Sequence, residues 1–200
     1  MYLPIKRLID LAAILLSSPL WLPLMLVLSV LVKTTSRGPI FFKQKRYGRN
    51  KTFFMIYKFR SMYVDAPKDV PTHLLQNPDT FITGVGRFLR KSSLDELPQV
   101  INILRGELSL VGPRPALWNQ DDLIAERDKY GANATPVGLT GLAQVMGRDE
   151  LPIETKAAFD GEYTKKMGLL LDMKIIILTV YCALTGRGVM EGGPDKESRK

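Results

Sequence analysis

The stretch LAAILLSSPLWLPLMLVLSVLV, residues 11–32, is 22 residues long and carries no formal charge. As a straight helix it would cover about 33 Å, enough to span a bilayer. Ser17, Ser18, Pro19 and Pro23 argue against a straight helix. An interior proline loses a backbone hydrogen bond and clashes with the preceding turn, so a break is expected at Ser18-Pro19. The flanks carry a second signal, because Lys6 and Arg7 precede the run while Lys33 and Arg37 follow it. A spanning helix concentrates basic residues on one side, whereas a segment that enters, bends and leaves on the same face is basic at both ends. These features favour a re-entrant helix-break-helix over residues 1–35, with a kinked spanning anchor as the alternative. Ser17 or Ser18 is the expected partner for carbonyls freed at the break. A cleaved signal peptide is disfavoured, since the run is long and no small-x-small site follows it.

Outward from this segment, residues 39–59 predict a β-hairpin. Ile40-Phe41-Phe42 and the Phe53 to Tyr57 run favour strands and are separated by Tyr47-Gly48-Arg49-Asn50-Lys51. Residues 64–80 interleave Pro67, Pro71 and Pro78 with Asp65, Asp69 and Asp79, the composition of a loop or lid. Leu97, Val100, Ile101, Leu104 and Leu108 then follow helical spacing behind Ser92-Ser93. Gly112-Pro113-Arg114-Pro115 cannot be helical and predicts a rigid turn. Further helices are expected over residues 121–130 and 154–166, with a glycine-rich loop at 138–147 between them. The apolar run 175–184 is too short to span and predicts a core or membrane-surface helix. The fold class expected is α+β and mostly helical. A catalytic-type domain covers 36–190, and 191–200 is a polar tail expected to be disordered.

Composition narrows the function classes. The 200 residues are 46% hydrophobic, enough for one sizeable core. A net charge of +8 calls for an anionic partner: lipid headgroups, nucleotide phosphates or nucleic acid. Cys182 and His73 are the sole cysteine and histidine, which excludes an intrachain disulfide and a Cys/His zinc site.

Asp95-Glu96 is the pair that could carry chemistry. Ser92-x-x-Asp95 and Ser93-x-x-Glu96 both fit capping-box spacing, so helix initiation alone also accounts for it. The surroundings favour more, because Lys58, Arg60, Arg87, Arg90, Arg114 and Arg148 sit in or beside turn-rich segments suited to phosphate recognition. A tight turn with a solvated arginine is the competing account of Arg114. Gly138-Leu139-Thr140-Gly141 and Gly147-Arg148 could present backbone N–H groups to a ligand, but lack a P-loop ending. Asp172, in an apolar setting, requires a cation, a hydrogen bond or a metal; a structural salt bridge with a nearby arginine is the favoured account.

Taken in order, the motifs resemble the bacterial sugar transferases, and among them the small monotopic phosphoglycosyl transferases. They are Lys6-Arg7-x-x-Asp10, Ser18-Pro19, Gly38-Pro39 to Gly48 with Gln44 and Arg46, and Tyr57-Lys58-Phe59-Arg60-Ser61-Met62. Leu94-Asp95-Glu96-Leu97-Pro98-Gln99, Val111-Gly112-Pro113-Arg114-Pro115, Thr140-Gly141-x-Ala143-Gln144 and Gly147-Arg148 complete the set. The resemblance implies a monotopic membrane protein with its catalytic domain on the cytoplasmic face of the bacterial inner membrane. It implies transfer of a sugar-1-phosphate from a UDP-sugar to polyprenyl (undecaprenyl) phosphate, with release of UMP, at the first membrane step of glycoconjugate assembly. It also implies a covalent aspartyl-phosphosugar on Asp95 and Mg²⁺ at Glu96 with Asp95. Lys58, Arg90 and Asp172 match further functional positions, and Arg114 and Arg148 are the candidate phosphate clamps. Val137, Leu142 and Met146 depart from the family's usual proline, tryptophan and asparagine, where sugar or nucleoside contacts are expected.

A basic membrane-anchored binding protein without catalysis is the competing class. The apolar N-terminal segment disfavours nucleic acid as partner, and a multi-span transferase is excluded because only one segment is long enough to cross. The expected partners are therefore the UDP-sugar, the polyprenyl phosphate and inner-membrane lipids. The sugar and the oligomeric state, a homodimer included, are not fixed by the sequence.

Overall fold

The computed structural model describes residues 2–67, 77–147 and 151–185. The apolar run is broken into two helices, α1 (Tyr2–Leu16) and α2 (Ser18–Thr35). The break falls at Ser17, and Ser18-Pro19 opens α2, where a proline without an N–H costs least. Ser17 Oγ donates to Ala13 O at 2.7 Å and to Ile14 O at 3.2 Å, as expected of a serine at a break. Trp21 Nε1 donates to Ile14 O at 2.9 Å, a remedy that the sequence reading missed.

Both helices dock on the same globular body. On α1, Lys6 and Asp10 are buried: Lys6 Nζ donates to Asp172 Oδ2 at 2.6 Å, and Ser109 Oγ donates to Asp10 Oδ2 at 2.6 Å. Arg7 donates to Ile103 O and Leu104 O. The Lys-Arg-x-x-Asp motif is thus a docking device, each charged group gripping a different element. α2 packs Leu28 and Val32 against Phe59 and Leu89. Its C-terminal carbonyls are met by Arg60, which donates to Val32 O at 3.3 Å, to Ser36 O at 2.7 Å and to Pro39 O at 2.6 Å. Gly38 lets the guanidinium approach, since a Cβ there would lie 2.3 Å from Arg60 Nη1. Away from these contacts the helices stay apolar and uncovered: Leu16 is 82% exposed, Leu20 78% and Leu26 70%. Ser18–Thr35 is long and apolar enough to cross a membrane.

The predicted hairpin is present as β1 (Phe41–Tyr47) and β2 (Phe53–Phe59), antiparallel with Phe41 opposite Phe59 and Tyr47 opposite Phe53. Phe54 and Ile56 face inward and join Ile14, Val100 and Ile103 in the core. After α3 (Gly84–Lys91) the chain runs through a 3-10 segment, Leu94–Gln99, into α4 (Val100–Arg105). β3 (Ser109–Val111) pairs in parallel with β4 (Gly138–Thr140), and α5 (Asp121–Asp128) lies between them in sequence. α6 (Leu142–Met146), α7 (Ile153–Lys166) and α8 (Leu169–Thr185) follow. The described residues are mostly helical with two small sheets; the mostly helical α+β class was expected, the parallel β3–β4 pair was not.

The glycine-rich stretch 138–147 is a strand and a short helix rather than a loop. Its glycines serve backbone packing: a Cβ on Gly138 would lie 2.1 Å from Gly112 N, and one on Gly141 2.1 Å from Gly112 O. Gly138 N–H donates to Pro113 O at 2.9 Å, so it is committed within the fold.

Candidate active site

Asp95 and Glu96 sit in the 3-10 segment, and the expected capping box does not form. Ser93 is left-handed, with φ 57°, and makes no capping hydrogen bond; Ser92 Oγ instead donates back to Phe88 O at 2.8 Å. Pro98 supplies the reason, because an α-helix begun at Ser93 would set its ring against the Leu94 carbonyl and miss one N–H. The segment tightens to 3-10, and α-helical geometry begins only at Val100.

This turn sends the two carboxylates to different tasks. Glu96 Oε1 accepts from Lys58 Nζ at 2.8 Å and from Arg114 Nη2 at 2.7 Å, joining β2 to the Gly-Pro-Arg-Pro turn. Burial alone would raise its carboxyl, but Arg114 and Lys58 outweigh that, so Glu96 lies well below the usual carboxylate range. Its Oε2 accepts no hydrogen bond among the described residues. Asp95 lines a cavity of about 460 Å³ together with Lys58, Arg90, Arg46 and Arg60. Phe41, Phe42, Phe59 and Tyr63 supply apolar wall. Among the described residues the Asp95 carboxylate accepts no hydrogen bond. Desolvation pushes it above its ordinary value; Glu96 adds to that, while Lys58, Arg90 and Arg114 oppose it.

The structure thus brings together Asp95, Glu96, Lys58, Arg90 and Arg114. Arg90 comes from the last turn of α3, whose start is fixed by Thr83 Oγ1 accepting from Gly86 N–H at 2.9 Å. Arg148 lies outside the described residues. Asp172 belongs to a separate buried cluster: Lys6 and Tyr2 donate to Oδ2 at 2.6 and 2.7 Å, and Tyr163 donates to Oδ1 at 2.7 Å. No member of that cluster lines the Asp95 cavity. Its salt bridge is with a lysine of α1, the structural alternative of the sequence reading with a different cation.

Arg46 was visible only as part of a motif. Its signal was polar alternation, since Gln44 and Arg46 fall on the inward face of β1 opposite Ile56 and Phe54. Two of the three departures from the family pattern are packing positions: Val137 is buried in the core with Phe54 and Ile103, and Leu142 packs by Tyr163 and Ile175. Met146 is 54% exposed.

Among the described residues no group of three or more acidic, histidine or cysteine side chains could enclose a metal. Asp95, which lines the cavity with its oxygens uncommitted among the described residues, and the neighbouring Glu96 through its remaining Oε2 are the donors that would suit a hard cation completed by substrate phosphates, the usual habit of Mg²⁺.

The chain is similar to known proteins over most of its length. A transferase from Caulobacter vibrioides, described as UDP-glucose:undecaprenyl-phosphate glucose-1-phosphate transferase, is 42% identical over 191 residues, covering 90% of this chain and 70% of that protein. An exopolysaccharide production protein, ExoY of Rhizobium meliloti, is 35% identical over 197 residues, covering 92% of this chain and 87% of its own. A UDP-N-acetylgalactosamine-undecaprenyl-phosphate N-acetylgalactosaminephosphotransferase of Aeromonas hydrophila is 38% identical over 196 residues, covering 94% of this chain and 45% of that longer protein. The family model described as Bacterial sugar transferase matches residues 1–186, from the docking helix to the end of α8, and the chain belongs to that family.

Proposed function

We propose that this chain transfers a sugar-1-phosphate from a UDP-sugar to polyprenyl phosphate, with Asp95 as the nucleophile. The observation that carries the reading is the Asp95 carboxylate itself: it opens on the cavity, accepts no hydrogen bond among the described residues, and is ringed by Lys58, Arg90 and Arg114. An ionised carboxylate needs no separate base. Its oxygen attacks the sugar-bearing phosphorus of the diphosphate, the bond from that phosphorus to the bridging oxygen breaks, and UMP leaves with the electron pair. A phosphate oxygen of the lipid then attacks the same phosphorus and returns Asp95 as a carboxylate.

Glu96 is not the nucleophile in this reading, because it is committed through Oε1 to Lys58 and Arg114 and does not line the cavity on which Asp95 opens. It holds Lys58 and Arg114 at the mouth of the reaction, where they meet charge that shifts during transfer. Mg²⁺, held by Glu96 with Asp95 and the substrate phosphates, would supply neutralisation of the diphosphate. The relatives' names cover both glucose and N-acetylgalactosamine donors, so the sugar is left as a hexose of the UDP-linked class.

The same reading makes α1 and α2 a re-entrant membrane segment on the cytoplasmic face of the inner membrane. What supports it is that both ends are anchored on one globular body, through Lys6, Asp10 and Val32, while the leucines near the break are uncovered. A lipid phosphate then reaches the site without leaving the headgroup layer. The test is UMP release from a UDP-sugar panel with polyprenyl phosphate and Mg²⁺. Near-normal turnover by Asp95→Asn would contradict the assignment, and a periplasmic residue 1 would contradict the topology.

A further inference from the structure

Four consecutive carbonyls leave the Gly-Pro-Arg-Pro turn, and each is taken by a different donor. Pro113 O accepts from Gly138 N–H at 2.9 Å, and Ala116 O accepts from Tyr47 N–H at 2.9 Å. Between them, Pro115 O accepts from Arg46 Nη1 at 2.9 Å and Arg114 O from Arg127 Nη2 at 2.9 Å. Pro113 and Pro115 have no N–H, so beyond Gly112 N–H, which donates to Thr140 O at 2.8 Å, the turn is held chiefly by what its carbonyls receive.

Arg127 stands out among these donors. Its guanidinium reaches Asp160 Oδ2 from Nε at 2.8 Å and from Nη2 at 2.6 Å. Arg127 is 3% exposed and Asp160 1% exposed, and the pair bridges α5 to α7. A buried ion pair of this kind contributes little net stability compared with apolar residues of similar volume. The pair does supply one thing that apolar packing would not, a charged donor aimed at the backbone of the residue whose side chain grips Glu96.

We infer that Arg127, fixed by Asp160, is a positioning residue for Arg114, setting the backbone from which the guanidinium reaches Glu96 and the substrate phosphates. The inference rests on the proposed role of Arg114 in the reaction. Backbone displacement of the order of 1 Å at such a residue can cost up to about a hundredfold in rate.

The test uses the whole pair, so that no charge is left buried alone. Arg127→Met/Asp160→Leu should stay folded, with a melting temperature near the parent's, while kcat for UMP release falls about tenfold or more. Asp160→Asn, which keeps an acceptor for Arg127, should fall less. The decisive arm repeats the pair replacement in an Arg114→Gln background. If Arg127 acts through Arg114, the added loss is less than about twofold. Losses that multiply in full, or a folded pair variant with parental kcat, would overturn the inference. Full activity in Arg114→Gln alone would instead remove the role assigned to Arg114.

Discussion

Replacing Lys6 by methionine separates a structural from a substrate-binding role for Asp172. Lys6 Nζ lies 2.6 Å from Asp172 Oδ2, with side chains 3% and 8% exposed, at the seam between α1 and α8. Removing one partner of a buried pair typically costs about 3–5 kcal/mol, because the survivor is left charged and unpaired. Asp172 would keep the hydroxyls of Tyr2 and Tyr163, each donating at 2.7 Å. The cost of Lys6→Met should therefore fall at the low end, about 3 kcal/mol. For a chain of this length that is a drop in Tm of about 6–12 °C. Replacing both partners, Lys6→Met/Asp172→Leu, leaves no orphaned ion and should recover part of the loss. The assay is thermal unfolding in detergent micelles, followed by UMP release from the folded fraction at 25 °C. We expect the double variant to keep at least half of parental kcat. A double variant that melts normally yet releases no UMP would refute the structural reading and return Asp172 to the substrate. A Lys6→Met variant within about 0.5 kcal/mol of the parent would refute the energetics.

Two further outcomes follow from the site and its frame. Burial raises the Asp95 carboxyl above its ordinary value in the metal-free protein, so its protonation, followed by NMR without Mg²⁺ or substrate, should occur above pH 3.8, with the ionised form lost as pH falls through it; a titration below that pH would contradict the burial account. Gly138→Ala should abolish folded expression, because its Cβ would sit 2.1 Å from Gly112 N and neither backbone can retreat within the parallel β3–β4 pair; a soluble variant with parental Tm would refute the close-approach account of that glycine.

Much of this architecture was legible because it depends on local chemistry. The Ser-Pro step at Pro19 breaks the apolar run whatever surrounds it, although Pro23 is accommodated inside α2, and the aromatic Phe53 to Tyr57 run with its basic turn makes a hairpin. The capping box at Ser92-Ser93 was misleading because spacing records neither the left-handed Ser93 nor the ring of Pro98, which together impose a 3-10 turn. Asp95 and Glu96 were found as a pair, but their division rests on which oxygens meet Lys58 and Arg114, groups 38 and 18 residues away. The Arg127–Asp160 pair spans 33 residues and left no local signal. Asp172 was recognised as needing a partner, and that partner lies 166 residues upstream in a segment whose charges looked like membrane flanks.

The central claim is that Asp95 becomes covalently phosphorylated by the sugar-1-phosphate half of the donor. Enzyme mixed with UDP-sugar and Mg²⁺, without lipid phosphate, should release UMP in a burst approaching one equivalent per active site. Its Asp95 peptide should gain the mass of a hexose phosphate, and Asp95→Asn should give neither. A parent enzyme that turns over with lipid present but shows no burst and no modified peptide without it would contradict the covalent account.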